Sequence, residues 1–485
     1  MATSDPVQEA LLCQRTGDWL RARAIYETLL KSQPRHVDAL NQLGIILAQT
    51  GNPKRAVALF DRAVAADPRN AAALGNRGLA LQALGQWEAA LESLNRALVI
   101  RPGFAQACFN RGNVLMELDR LQDALASYEQ ATSLKADYAE AYLNRGVVLR
   151  ELGQLGAAVA SFDRAIRLRP GYASAYLNKS FALLLRGDFA QGWPLYEWRR
   201  KLDGAITERR AWEVSRPCWL GGGSIAGKTI LLHAEQGFGD TLQFCRYAAI
   251  VAGLGARVIA EVQPPLLPLL SGLEGVAQTV ARGTPLAHFD WHCPMMSLPL
   301  ALQTTLGTIP CARPYLHADP AKVAGWRRRL GEKTQPWVGL VWSGSATHKR
   351  DRNRSIALAQ WLPHLPPGPR YVSLQKELRE PDRRSLRAAA HIRHHGADLH
   401  DFSDTAALCE CLDIVISVDT SVAHLAAALG RKTWILLPAG ADWRWLLERA
   451  DSPWYPSATL YRQGAIRGWD DVLARVASDL TRALS

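Results

Sequence analysis

Apolar residues in the first 200 positions recur at steps of three and four, which places side chains on one face of an α-helix. Leu40, Leu43 and Leu47 form one such stripe, and a second runs from Ala56 to Ala63. The pattern predicts pairs of amphipathic helices. One pair cannot bury its own hydrophobic faces, so neighbouring pairs must stack.

The helix pairs repeat every 34 residues, which is the length of one tetratricopeptide unit. The positions that carry the period are Pro34, Pro68, Pro102 and Pro170; Gly44, Gly78, Gly112 and Gly146; and Ala56, Ala90, Ala124 and Ala158. Proline stops the second helix of each pair, and only Ala136 interrupts its series. We predict an α-solenoid over residues 1–202 with about five units, capped around 10–34 and 173–198, that holds a partner.

Four asparagines share the period, and a basic residue follows each of them: Asn76, Asn110, Asn144 and Asn178. An amide has donors and an acceptor, so a row of amides can bind an extended peptide backbone. The row resembles the asparagine ladder in the repeat arm of protein O-GlcNAc transferases, which implies an acceptor groove for a protein or peptide. Alternatively, the asparagines bridge adjacent repeats. Their basic neighbours either attract acidic cargo or pair with acids on adjacent helices.

Beyond residue 200 the period changes to short apolar strands that alternate with helices. Residues 228–234 read as a strand, a turn with Gly237 and Gly239 follows, then a helix, and then a strand over 257–261. This order is typical of a doubly wound α/β sheet. The two glycines let the backbone turn tightly and approach a ligand. We predict a first Rossmann-like domain over 216–330.

A second unit of the same kind is predicted over 336–485, ending in a terminal helix. Its strands are predicted at 338–342, 371–374, 413–419 and 434–437, with a charged loop over 348–355. Two such sheets, with a ligand between the carboxyl ends of their strands, define the GT-B glycosyltransferase architecture. The predicted fold is therefore an α-solenoid followed by an α/β GT-B type module with two Rossmann-like domains.

The turn after Asp419 runs directly into a predicted helix over 420–430. The first amides of a helix have no internal partner and carry partial positive charge, so a diphosphate docks there. Thr420 and Ser421 add hydroxyl donors, and His424 can point back at the same oxygens. The alternatives are that Asp419 or Thr420 only caps the helix and that His424 belongs to the core.

Residues 418–430, VDTSVAHLAAALG, resemble the nucleotide-binding motif of glycosyltransferase family 9, the lipopolysaccharide heptosyltransferases. Ser421 stands where that family usually has glycine. Gly239 and Asp240 resemble the family's Gly-Asp pair, whose Asp is the proposed catalytic base. The resemblance covers roughly 225–450, and the whole chain resembles bacterial fusions of repeats with such a transferase. It implies these donor-binding residues: Gly237, Phe238, Gly239, Trp342, Ser343, Gly344, Arg354, Gln375, Lys376, Asp419, Thr420, Ser421, Val422 and His424.

The resemblance implies a metal-independent inverting transfer from a nucleotide-sugar, with Asp240 as general base. For Asp240 the alternative is a helix N-cap. No Asp-x-Asp motif occurs in this half, so we expect neither a metal nor another cofactor. Trp443 and Trp445 either flank the nucleotide or pack in the core. Two other functions stay open: a transferase acting on a surface glycan or lipid, and a repeat scaffold with an inactive module.

Charge and composition further limit the classes of partner and the cellular compartment that we expect. The net charge of +12 suits an anionic partner or a basic background, but no nucleic-acid-binding motif accompanies it. The eight cysteines form no CxxC pair, which favours free thiols in a reducing compartment. No apolar run approaches the ~18 residues of a membrane span. We expect a cytoplasmic protein.

Overall fold

The computed structural model describes residues 5–202, 211–347, 351–464 and 468–484. The chain divides into two compact units, Met1–Lys179 and Ser180–Ser485. Part of the charged loop predicted over 348–355, namely 348–350, lies outside the described residues.

The first unit is built from antiparallel helix pairs. Its helices are α1 (Pro6–Arg15), α2 (Trp19–Ser32), α3 (Val37–Gln49), α4 (Pro53–Ala66), α5 (Ala71–Ala83), α6 (Trp87–Ile100), α7 (Ala105–Glu117), α8 (Leu121–Leu134), α9 (Ala139–Glu151), α10 (Leu155–Leu168) and the first part of α11 (Ala173–Arg186). The predicted helical solenoid is confirmed for this part of the chain.

The periodic glycines are contact points between the two helices of a pair. A Cβ atom at Gly146 in α9 would lie 2.5 Å from the ring of Phe162 in α10, and one at Gly112 would lie 2.6 Å from the ring of Tyr128. Gly44 and Gly78 meet side chains 16 positions later in the same way. The period therefore records where a large side chain of one helix needs space on its partner.

The periodic proline is not required to end the second helix. At Ala136, where the proline is missing, α8 still ends at Leu134. The amide of Lys135 donates to the carbonyl of Ala131, and Arg101 closes α6 with the same bond. The backbone hydrogen bond at the end of the second helix, as well as proline, therefore determines where each pair ends.

The second unit contains two parallel sheets with helices around them. The strands are β1 (Thr229–His233), β2 (Arg257–Val262), β3 (Val276–Ala281), β4 (Trp291–Pro294), β5 (Trp337–Val341), β6 (Arg370–Ser373), β7 (Ile392–His394), β8 (Ile414–Val418), β9 (Thr433–Leu437) and β10 (Ala458–Arg462). The helices are α12 (Phe189–Tyr196), α13 (Ala211–Ser215), α14 (Phe238–Phe244), α15 (Ala248–Gly253), α16 (Leu267–Leu270), α17 (Leu298–Ala301), α18 (Pro320–Leu330), α19 (Asp351–Arg354), α20 (Leu358–Trp361), α21 (Glu380–Ala388), α22 (Phe402–Glu410), α23 (Ser421–Ala428) and α24 (Asp470–Leu484).

The order of the strands shows where each sheet can bind a ligand. The first sheet has the order β3-β2-β1-β4 and the second β10-β9-β8-β5-β6-β7, with every described pairing parallel. Both follow the doubly wound pattern, in which the order reverses beside the first strand and ligands bind at that point. The reversal lies between β1 and β4 in one sheet and between β5 and β8 in the other. An α/β architecture is therefore present.

Candidate functional site

The starts of two helices, one after each sheet's central strands, lie against each other. Helix α14 follows β1, and α23 follows β8. A Cβ atom at Gly239 would lie 2.8 Å from Cδ2 of His424 and 3.6 Å from Cα of Ser421. We call this contact between residues 237–240 and 419–424 the junction. It brings two of the predicted motifs together.

The start of α23 is left without a side-chain cap. Thr420 occupies the N-cap position, but its side chain accepts no hydrogen bond from the helix. Its hydroxyl lies instead 3.1 Å from Oγ of Ser417. The first amides of this helix therefore keep their capacity to receive an anion. The alternative that the Thr420 side chain caps the helix does not describe the structure.

Arg354 brings a cation to the same helix end. Its Nη1 donates to the carbonyl of Asp419 at 2.8 Å. The guanidinium also covers the loop after β5, because a Cβ atom at Gly344 would lie 2.5 Å from its Nη2. A glycine at 344 thus allows the arginine to lie flat on the backbone between β5 and β8.

His424 is buried and Asp419 is half-buried, with 7% and 17% of their side chains exposed, and the loss of contact with water shifts their pKa values. Burial and the nearby Asp442 raise the pKa of Asp419 to about 6. Burial and neighbouring arginines, Arg444 first, hold the pKa of His424 well below its usual range, so the imidazole is neutral. Its Nδ1 lies 2.9 Å from the hydroxyl of Tyr455. A neutral imidazole can bond to a phosphate oxygen but adds no positive charge.

The ends of β5 and β6 are joined by one amide. Oε1 of Gln375 accepts from the backbone amides of Trp342 and Ser343, each at 3.2 Å, and its Nε2 donates to the hydroxyl of Ser343 at 3.0 Å. The ring of Trp342 is buried in the core. Lys376 is exposed and donates to the carbonyl of His400 at 2.9 Å. Gln375 therefore shapes this loop, whereas Lys376 is an accessible cation.

Two apolar residues of the predicted donor set lie at the junction itself. Phe238 is 37% exposed, and its ring centroid is 5.1 Å from that of Phe402. Val422 is half-buried at the start of α23. Both leave apolar surface beside the helix ends, which suits the flat face of a base or sugar.

Asp240 makes two bonds at the start of α14. Its Oδ2 accepts from the amide of Gly237 at 2.8 Å, and its Oδ1 pairs with Arg444. Burial raises the pKa of Asp240, while the charge of Arg444 opposes that rise. Asp240 is thus the third residue of α14 and not its N-cap, which is Gly237; its role at the helix start is the bond to the N-cap amide. It leaves further lone pairs on the carboxylate, so it does not prevent a role as a base.

A buried ionic network fixes the turn that leads to Asp240. The guanidinium of Arg199, 3% exposed, donates to both carboxylate oxygens of Glu235 at 2.8 Å. It also donates to Glu197 at 2.6 Å and to the hydroxyl of Ser297 at 2.7 Å. Ser297 follows β4 and Glu235 follows β1, so the network lies at the strand reversal of the first sheet.

Sequence reasoning missed Arg199 and Arg444. Arg444 stands between Trp443 and Trp445, which are 3% and 0% exposed and pack in the core. Arg199 follows α12, at the end of the stretch that we assigned to the solenoid over residues 1–202. The sequence does not show which acid each arginine pairs with, because the partners lie far apart along the chain. Asp240, for example, is 204 positions from Arg444. No local pattern carries that pairing.

The four periodic asparagines already have partners within the first unit. Nδ2 of Asn76 donates to Oδ1 of Asn41 at 2.9 Å, and Nδ2 of Asn144 donates to Oδ1 of Asn113 at 2.9 Å. Asn110 accepts from Gln106 at 3.1 Å, and Asn178 accepts from Arg150 at 3.1 Å. Bridges between adjacent repeats, the alternative named above, are thus present for part of the row.

The basic neighbours of these asparagines bind the surrounding helices. Each reaches an acid, hydroxyl or amide 16 to 19 positions away: Arg77 to Asp61 and Ser93, Arg111 to Ser127 and Gln130, Arg145 to Glu129 and Ser161, and Lys179 to Asp163. Arg77, Arg145 and Lys179 form ion pairs inside the repeats, and Arg111 donates to the neutral side chains of Ser127 and Gln130. Acidic cargo is not needed to explain them.

Comparison with known proteins supports the repeats. The sequence model of the tetratricopeptide repeat matches residues 7–71, 47–105 and 109–191, so the N-terminal region contains tetratricopeptide repeats, as predicted. Protein FlbA of Caulobacter vibrioides is 28% identical over 323 residues, which cover 61% of this chain and 53% of that protein. The chain thus spans about half the length of this relative.

Solved structures with similarity include MamA, at 26% identity and a TM-score of 0.32, covering 33% of this chain and 94% of that one. YrrB, a tetratricopeptide-repeat protein with an unusual peptide-binding site, is 20% identical with a TM-score of 0.33, covering 36% and 89%. PilF of Pseudomonas aeruginosa is 21% identical with a TM-score of 0.37, covering 41% and 88%. Among the described helices, none has the length and apolar character needed to cross a membrane.

Proposed function

We propose that the chain is a metal-independent inverting glycosyltransferase. It moves a sugar from a nucleotide-sugar to an acceptor, a protein or peptide recruited by the repeats. The observation that carries the proposal is the junction. It combines an uncapped helix start after β8 with a carboxylate after β1, at the carboxyl ends of two parallel sheets. An anion-binding end and a base are the two parts that this reaction requires.

The donor diphosphate binds the start of α23. The amides of Ser421 and Val422 supply donors, and Arg354 and Lys376 supply positive charge. His424 is neutral, so it contributes a hydrogen bond and shape. Ser421 in place of the usual glycine of family 9 keeps the backbone amide, which is the group that binds phosphate.

In the transfer step, the acceptor hydroxyl oxygen attacks the anomeric carbon from the face opposite the leaving group. Asp240 takes the proton of that hydroxyl. The bond from the anomeric carbon to the diphosphate oxygen breaks, and its electron pair leaves with the nucleoside diphosphate. The cationic helix end stabilises that developing charge. One displacement inverts the anomeric configuration.

The test begins with a panel of nucleotide-sugars titrated into the full chain by calorimetry. The donor that binds is then supplied in labelled form to a cell lysate with wild-type protein or Asp240→Asn. We expect label on protein with the wild type, and transfer reduced by about 10²–10⁴-fold with the variant at nearly unchanged donor affinity. Label found in a lipid-linked glycan would show that the acceptor is a glycan or lipid and not a protein. If no nucleotide-sugar binds, the proposal is overturned.

A second candidate is a protein-interaction scaffold whose α/β module is inactive. The engagement of Asp240 by Arg444, together with the neutral state of His424, favours it. The repeats alone suffice for a partner-binding role. The same calorimetric panel separates the two functions, since a scaffold binds no donor at the start of α23.

A further inference from the structure

Arg444 links the two halves of the second unit at the junction. It follows β9 in the second sheet and is 8% exposed. Its Nη2 pairs with Asp240, and its Nε donates to Oε1 of Gln243 at 2.5 Å. Asp240 and Gln243 both belong to α14 of the first half. One buried side chain therefore contacts the carboxylate and the helix that carries it.

The guanidinium is itself held in one orientation. Its Nη1 donates to Asp442 at 2.8 Å, and the same Asp442 oxygen accepts from the amide of Arg444 at 3.1 Å. The centre of the guanidinium lies 4.5 Å from the ring centroid of Trp443, an attractive cation–π contact. A cation fixed on both sides can orient a carboxylate without itself moving.

We propose that Arg444 is the positioning residue for Asp240, which it holds ionised and in place at the junction. This inference rests on the proposed function, in which Asp240 is the base. A base must be ionised to accept a proton, and a carboxylate with only 19% of its side chain exposed is otherwise shifted toward its neutral form. Arg444 supplies the opposing charge from the other half of the unit.

The other groups that face Asp240 cannot replace it. The amide of Gly237 donates one hydrogen bond to Asp240, while Asp442 and Glu235 raise its pKa. Glu235 is paired with Arg199. Tyr196, from α12, also interacts with both Asp240 and Arg444, but burial raises its pKa and it is neutral. Arg444 is therefore the main cation acting on Asp240 among the described residues.

The test compares Arg444→Gln with Arg444→Lys over a range of pH. We expect Arg444→Gln to lower kcat/KM at pH 7 by about 100-fold and to move the acidic limb of its pH profile upward by about one unit or more. Arg444→Lys keeps the charge, so its limb should stay near that of the wild type although its rate falls by about tenfold. Equal, pH-independent losses in both variants would reduce Arg444 to a packing role and overturn the proposal.

A second measurement does not depend on turnover. Thermal unfolding of Asp240→Asn, Arg444→Gln and the double variant forms a double-mutant cycle. We expect each single change to lower Tm and the double change to lower it by less than the sum. Additive effects would overturn the pairing even if transfer is observed, whereas coupling without any transfer would overturn only the proposed function. Arg449→Gln, whose side chain pairs with the exposed Asp451 in the same segment, should leave all these readouts unchanged.

Discussion

Polar side chains in the two units are stabilised in different ways. In the repeats, Arg77 pairs with Asp61, whose side chain is 50% exposed, and the same kind of link recurs along the period. In the second unit, Arg199 and Arg444 pair with acids that are more enclosed, since 9% of the Glu235 side chain and 19% of the Asp240 side chain are exposed. Exposed pairs contribute little, whereas an enclosed charge is costly once its partner is removed.

The two units also differ in how far they tolerate the loss of one interaction. A periodic array can lose one position and keep its helix end, as α8 shows at Ala136. The junction, by contrast, lies outside the repeats. Its charges come from distant segments, and the pKa values of Asp240, Asp419 and His424 are all altered, as is common at functional sites.

The largest expected effect comes from breaking the Arg199 network. Arg199→Gln leaves Glu235 enclosed without its counter-charge and leaves Glu197 with the more distant Arg200, 3.8 Å away, so we expect a loss of about 3–5 kcal/mol in the free energy of unfolding. Of the 16 tryptophans, all but Trp19 and Trp87 lie beyond residue 179. Tryptophan fluorescence during urea unfolding therefore reports mainly on the affected unit.

The matched change in the repeats is Arg77→Gln, which removes an exposed pair. Its expected cost is below about 1 kcal/mol, measured by circular dichroism of the helices. If both arginines cost the same, the contrast between exposed and enclosed pairs is wrong for this chain.

An intermediate effect is expected from filling a periodic glycine. Gly146→Ala places a methyl group 2.5 Å from the ring of Phe162, and such overpacking costs about 1–3 kcal/mol. Gly156→Ala, in α10 of the same repeat, meets no atom within 4 Å and should stabilise by up to about 1 kcal/mol through helix propensity. Opposite shifts in thermal unfolding by circular dichroism confirm the packing role, and equal shifts contradict it.

Much of the fold could be predicted from the sequence because its signals are local. The steps of three and four gave the helices, the 34-residue period gave their stacking, and the strand at 414–418 was placed within one residue at each end. The contact of Gly146 with Phe162 follows the same period. Such patterns can be read from the sequence because each repeat contacts the repeats that precede and follow it along the chain.

The site was predicted only in part, because its contacts join distant segments. The helix start at Ser421 could be placed from the strand before it, but not the missing cap of Thr420. Gln375 was assigned to the donor, yet its amide fastens the β5 loop. Arg444 gave no signal at all, since its partner Asp240 lies in the other sheet's helix. The protonation states of the site residues could not be predicted from the sequence either. They depend on burial, which the tertiary packing determines.

A further expected effect is a pH dependence that arises in the second unit, at Asp419. The folded pKa of Asp419 is about 6, above the usual 3.8. The folded chain therefore binds this proton more tightly, and the resulting stability, full below pH 3.8, is lost as the pH rises through 6. Above pH 6 the ionised carboxylate also repels a diphosphate, so a nucleotide-sugar should bind about tenfold more tightly at pH 5.5 than at pH 7.5.

Calorimetry with an intact nucleotide-sugar at constant ionic strength measures this dependence. The intact donor is the right probe because the terminal phosphate of a free nucleoside diphosphate itself titrates near pH 6. His424 stays neutral across the range, so Asp419→Asn should give tight, pH-independent binding. A uniform loss of affinity in Asp419→Asn would instead mean that the carboxylate holds a donor hydroxyl. If binding varies equally with pH in both proteins, the titrating group lies elsewhere. Asp419 then does not control the pH dependence of donor binding.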